Sequence, residues 1–184
     1  MLSSYLIQPS GAIRQFIHQI PEEGGVYAML LDHPEALQPA LDRARLRLDP
    51  LRLGKRAILY LGATDDSLRC RLKCHLSNDT ARSTFRQSLG AVLAEELKLE
   101  ARPSGRRGFS FEPRSELILS DWINDHISIA VRSAPYALVE EKTLIALQDP
   151  LLNIAGRRGK ASAETVLILR RRLRGLPFEQ KALN

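Results

Sequence analysis

The sequence predicts an α+β fold in which a small sheet is covered by helices. Three observations predict it. Only three segments carry strand patterns, and all are short. Longer segments with apolar residues at helical spacing stand among them, in the order strand, strand, helix, helix, strand, helix. Of the 184 residues, 44% are hydrophobic and 26% charged, enough for one buried core.

The elements follow in chain order. GGVYAMLLD (24–32) reads as a strand after a Gly-Gly turn. Residues 33–55 are polar and broken by Pro34, Pro39 and Pro50, so they read as a long insertion with one short helix. RAILYLGA (56–63) has apolar residues in a row and is expected to be buried on both faces. Asp66 or Ser67 can cap the helix that follows. In 83–100, Phe85, Leu89, Val92, Leu93 and Leu97 recur at helical spacing. Residues 101–114 are rich in Gly, Pro and Arg and read as a loop, and 117–125 as a short helix. HISIAVRSA (126–134) alternates like a strand with one buried face, Pro135 opens a helix through Leu147, and 161–174 form a last, basic helix.

Composition bounds the function. The N-terminus has no basic region before an apolar run, and no stretch approaches the roughly 18 apolar residues of a membrane span. Cys70 and Cys74 stand four apart on one predicted helix, which suits neither a disulfide framework nor zinc spacing, and a reduced, cytoplasmic protein is expected. The net charge is +6, and the segment from Ile154 onward carries all of it, with eight basic and two acidic residues. Such a tail suggests a polyanion, usually nucleic acid, although a solvated helix face reads equally well. Its basic residues include Arg157, Arg158, Arg170, Arg171, Arg172, Arg174 and Lys181.

Side chains suited to chemistry cluster on the predicted elements. Tyr27 lies mid-strand and Tyr60 near the end of the second strand, so paired strands could bring both phenols to one face. Arg71 and His75 share a helical face, whereas Arg69 lies about 200° round from Arg71 and is expected in solvent. On the helix through Leu147, Ala137, Leu138, Leu144, Ile145 and Leu147 define an apolar side. Glu141 falls near its centre and Glu140 toward its edge. A carboxylate there needs a cation, either Arg71, a metal ion or both.

Gly25-Val26-Tyr27 and Tyr60-Leu61-Gly62 resemble the paired motifs of the GIY-YIG nucleases. SLRCRLKCHL (67–76) resembles that family's next helix, and VEEKTLIALQDPLLN (139–153) its glutamate-bearing segment. The second motif positions hold Val26 and Leu61, the gap between the tyrosines is long, and Ala63 stands where many members have a polar residue. The resemblance implies a small antiparallel sheet of about three strands, with a catalytic domain over 1–153, an insertion at 33–55 and a basic helical extension over 154–184. It implies a DNA endonuclease that uses one Mg²⁺ or Mn²⁺ at Glu141 to hydrolyse phosphodiester bonds. Arg71 would bind the phosphate, Tyr27 would act as general base with His75 handling its proton, Tyr60 would position water or phosphate, and Asn153 would orient the site. Double-stranded DNA, a restriction role and a homodimer fit a stand-alone module. Repair, mobile-element or non-cleaving DNA-binding roles are the alternatives, and the last is disfavoured by the retained Glu141 and Arg71.

Overall fold

The computed structural model describes residues 6–15, 17–48, 52–53, 55–104 and 108–175. The elements are β1 (Leu6–Pro9), α1 (Ser10–Gln15), β2 (Gly25–Leu31), α2 (Gln38–Ala44), β3 (Arg52–Leu53), β4 (Arg56–Thr64), α3 (Leu68–Leu76) and α4 (Thr84–Leu93). They continue with β5 (Ala101–Ser104), β6 (Gly108–Phe111), α5 (Pro113–His126), β7 (Ile127–Ser133), α6 (Ala137–Gln148) and α7 (Ala161–Leu173). The fold is α+β, with an antiparallel sheet flanked by helices.

The sheet has five strands in the order β1-β7-β2-β4-β3. Its three central strands are those the apolar patterns predict. The two edge strands were not expected, because four residues and two residues are too short to show a period. β5 and β6 form a separate hairpin where a loop was expected. Its Phe109 and Phe111 are fully buried, a signal hidden among Gly, Pro and Arg. Within that segment, 105–107 lie outside the described residues.

The sheet buries both faces. On one, Tyr27, Met29, Leu31, Leu59, Ile129 and Val131 join the main core with leucines of α3 and α4. On the other, Ala28, Leu30, Ile58, Leu61 and Ala130 pack under Ile145 of α6. α6 buries a narrower face than its composition suggests: Ala137 and Ile145 are buried, while Leu138, Val139 and Leu147 are exposed. The 33–55 segment is part of the core, since Leu37, Ala40, Leu41 and Leu46 pack within it. α7 packs on α4 with Val166 buried, so the expected boundary after 153 marks no break in packing. No helix among the described residues is long and apolar enough to cross a membrane.

One irregularity positions the site. Met29 pairs with Tyr60, but Leu30 pairs with Ile58, so Leu59 is an extra residue in β4. This β-bulge reverses the alternation of side chains beyond it. In the register of Leu30 and Ile58, Tyr60 would point toward α6. The bulge turns it to the face that carries Tyr27. The backbone N–H of Leu152 donates to the Leu59 carbonyl at 2.9 Å, so the extra residue leaves no orphan there.

Candidate active site

β2 and β4 bring Tyr27 opposite Gly62. A Cβ at Gly62 would overlap the Tyr27 ring and hydroxyl, and one at Gly25 would overlap the Arg132 carbonyl and Leu68. Both motif glycines are therefore required by close approach. The two phenol rings lie 6.4 Å apart, centroid to centroid.

α3 supplies the cation and the imidazole. Ser67 caps it by accepting from the Cys70 N–H, and Leu68, Leu72 and Leu76 anchor it in the core. This leaves Arg71 and His75 one turn apart against the end of the sheet. Arg71 Nε donates to the Tyr27 hydroxyl at 3.1 Å, and that hydroxyl lies 2.7 Å from His75 Nε2. On the far side of the ring, His75 Nδ1 lies 2.7 Å from Ser83 Oγ. Since Arg71 donates into the Tyr27 oxygen, the Tyr27 proton has only His75 Nε2 to go to among the described residues. The tautomer protonated at Nδ1, donating to Ser83, gives both ring nitrogens and the Tyr27 hydroxyl a partner. Ser83 also caps α4 by accepting from the Arg86 N–H.

Both groups rest neutral. Burial, reinforced by Tyr60, pushes the Tyr27 phenol well above its usual range despite Arg71. Burial, with Arg71 and Arg86 nearby, pushes His75 down to about 3. This has a sign for stability. The folded-state pKa is depressed, so the contribution of neutral His75 is present above pH 6.5 and is lost as the pH falls toward about 3. The expected result is a smaller loss of melting temperature over that range in His75→Gln than in wild type, measured by calorimetry. Equal losses would refute burial of a neutral imidazole.

Tyr60 donates to or accepts from Thr84 Oγ1 at 2.8 Å, and burial raises its pKa. Glu141 is half-buried on the facing side. Burial raises its carboxyl above the usual range, against the charge of Arg71 and the Ala63 N–H that donates to it. Glu140 points elsewhere and pairs with Arg132. Asn153 is buried and uses both ends of its amide on the backbone of Leu61, at 2.9 and 2.8 Å, so it positions β4 and is not free to touch a reacting atom.

Three arginines sit differently from expectation. Arg157 is 4% exposed, pairs with Asp149 and donates to the carbonyls of Leu151 and Asn153 and to Ser162. It ties the turn after α6 and cannot reach a nucleic acid backbone. Arg170 turns inward beside Tyr60. Arg69 is not free in solvent, because it donates to the carbonyls of His18 and Ile20 and pairs with Glu22. Arg158, Arg171 and Arg172 are exposed, Arg174 is half-buried, and Lys181 lies outside the described residues. Sequence reasoning missed Ser83 and Thr84, whose hydroxyls carry no signal of their own beyond Ser83 as a helix cap.

Glu141 fits a hard, water-rich cation. Its carboxylate borders an open cavity, and no group of three His, Cys, Asp or Glu forms a protein cage among the described residues. Mg²⁺ and Mn²⁺ are commonly held by one or two carboxylates with water and substrate oxygens.

A phenol, an imidazole, a guanidinium and a carboxylate thus converge at one sheet end. The family model of the GIY-YIG catalytic domain matches residues 25–174, from the start of β2 to the end of α7. No curated protein and no solved structure matches the chain. The chain belongs to the GIY-YIG nucleases and is an endonuclease, a phosphodiester hydrolase that acts on nucleic acid.

Proposed function

We propose that this endonuclease cuts double-stranded DNA, as a restriction-type enzyme, with Glu141 holding one Mg²⁺ or Mn²⁺. The bound ion would neutralise charge on the phosphate and the leaving oxygen. The observation that carries the reading is the contact chain Arg71–Tyr27–His75–Ser83. Arg71 binds the scissile phosphate through its planar fork, of which only Nε is engaged by Tyr27. The Tyr27 oxygen takes a proton from the attacking water as its own proton passes to His75 Nε2. Neither group is a strong base alone. The transfer is favourable only while phosphate charge offsets Arg71, which couples base action to substrate binding. Ser83 holds the imidazole in the accepting tautomer, and Tyr60, fixed by Thr84, orients water or phosphate.

Arg158, Arg171 and Arg172 supply exposed charge for the DNA backbone. Cutting both strands takes two sites, which a homodimer supplies. The thiols of Cys70 and Cys74 are unpaired, which suits the cytoplasm.

The test is cleavage of plasmid DNA in Mg²⁺ with and without chelator. Wild type is expected to cut only without chelator. Arg71→Lys keeps the charge and loses the fork, and a loss on the order of 10²–10³ in rate is expected. Arg69→Ala is expected to lower the melting temperature while leaving single-turnover rate within a few-fold at low temperature, because Arg69 secures the segment before β2. Cleavage that persists in chelator overturns the metal assignment, and equal rate losses for both arginine variants overturn the assignment of the phosphate to Arg71.

A further inference from the structure

Beside Tyr60 the site continues into a cavity of about 460 Å³, bounded by α4, α6, the 152–156 segment and α7. Two residues of its wall carry buried donors without a partner among the described residues. Arg170 spends one amino group on the Gln87 side-chain carbonyl, but its buried Nε has no partner among the described residues. Ser88, 1% exposed, also lines this cavity, and its hydroxyl has no partner there either.

These groups are costly as they stand. A buried hydroxyl and a buried guanidinium N–H each lose hydration without compensation. No carboxylate among the described residues forms an ion pair with Arg170, while Arg174 adds a like charge nearby. The missing partner must therefore be an acceptor, and an anionic one. Glu141 opens on the same cavity as a candidate metal ligand, and a cation held there would offset its charge toward an incoming anion. A phosphate oxygen accepts from a guanidinium and from a hydroxyl at once.

The position matters as well as the chemistry. The charges of Arg71 and Arg170 both act on the Tyr60 phenol and favour its ionised form against burial. Two guanidinium groups thus flank one side chain, Arg71 from α3 and Arg170 from α7. A single strand presents successive phosphates, and two guanidinium groups beside one side chain can meet two of them.

We propose that Arg170 and Ser88 form a second phosphate subsite, which takes the phosphate next to the scissile one on the cut strand. The subsite rests on the reading of Arg71 as the scissile-phosphate residue. Arg170 is then separate in role from Arg171 and Arg172, which meet the backbone from outside.

Deoxythymidine 3′,5′-bisphosphate and deoxythymidine 5′-monophosphate serve as probes, titrated calorimetrically into the full chain in Mg²⁺. The bisphosphate is expected to bind about tenfold more tightly than the monophosphate. Arg170→Met should remove that advantage and leave monophosphate binding unchanged. Ser88→Ala, which disturbs packing least, should reduce the advantage in part and decides the matter if Arg170→Met does not fold. Arg71→Met should weaken both probes. If Arg170→Met and Ser88→Ala keep the full advantage, the subsite is overturned even where wild type cuts DNA. If the advantage depends on Arg170 but Arg71→Met changes neither probe, the subsite stands and the scissile-phosphate reading falls.

Discussion

Glu141→Gln is expected to end cleavage while making the metal-free protein more stable at neutral pH. The side chain keeps its shape and loses its charge. The loss of rate should be on the order of 10³ or more, the scale of several kcal/mol of charge stabilisation. The stability gain follows from burial, which raises the folded-state pKa above its unfolded value despite Arg71 and the Ala63 N–H. The protonated form is thus the one the fold prefers. The burden of an ionised Glu141 is absent below the unfolded pKa and appears as pH rises through the folded one. Melting curves in chelator should show Glu141→Gln above wild type at pH 7 and level with it at low pH. Adding Mg²⁺ should raise wild type alone. A variant that melts below wild type at pH 7 in chelator would show that the carboxylate is a structural partner and not a strained ligand.

Glu116→Gln should do the reverse, damaging the fold and sparing the chemistry. Arg86 is fully buried and pairs with Glu116, which is 4% exposed. The Glu116 carboxylate also accepts from the N–H of Thr80 and of Phe111 and from the Thr80 hydroxyl, and Arg86 donates to Ser120. Burial alone would raise the Glu116 pKa, but these N–H donors and Arg86 outweigh it and hold it below the usual range. Removing the charge strands Arg86, at a cost of about 3–5 kcal/mol. For a chain of this size the melting temperature should fall by about 6–20 °C. The double change Arg86→Met with Glu116→Gln removes the stranded cation, keeps an acceptor for the Thr80 and Phe111 N–H groups and should recover part of the loss. It should also remove part of the acid sensitivity, since the depressed pKa makes the Glu116 contribution vanish as pH falls through it. Single-turnover cleavage by Glu116→Gln well below its melting point should stay near wild type. A melting temperature within 2 °C or so of wild type would show the pair to be dispensable.

What the sequence disclosed tracks the range of the physics involved. β2, β4 and β7 were legible because each is long enough to show an apolar pattern in one stretch. β1 and β3 take their identity from neighbours, β7 and β4, and no local signal names them. Arg71 and His75 could be placed together because helical spacing is local. Glu141 was singled out by its place on α6, although the apolar side was drawn too wide: Leu138 and Leu147 are exposed, and only the flank with Ala137 and Ile145 is buried. Arg157 was misjudged because a charge count has no direction. Its guanidinium serves four internal acceptors, and a sum over the segment cannot tell that from a phosphate contact. Ser83 was invisible as a partner of His75, since a hydroxyl eight residues away becomes informative only once the turn between α3 and α4 is known.

The extra residue in β4 works as a frameshift does in a coding strand. Between Ile58 and Tyr60, whether Leu59 stands inside or outside the ladder decides inside from outside for everything downstream. Pressing Leu59 into the ladder would leave the letters Tyr-Leu-Gly intact and exchange their meaning: Leu61 would enter the phenol's place and Tyr60 would meet α6, whereas deleting Leu59 would keep Tyr60 opposite Met29. A three-letter motif is then only readable with the residue before it, whose place outside the ladder sets the frame. Related chains that keep the motif but lack the extra residue should reach the same frame with a regular strand, whereas chains that keep the residue should have to keep the bulge or lose the second phenol from the site.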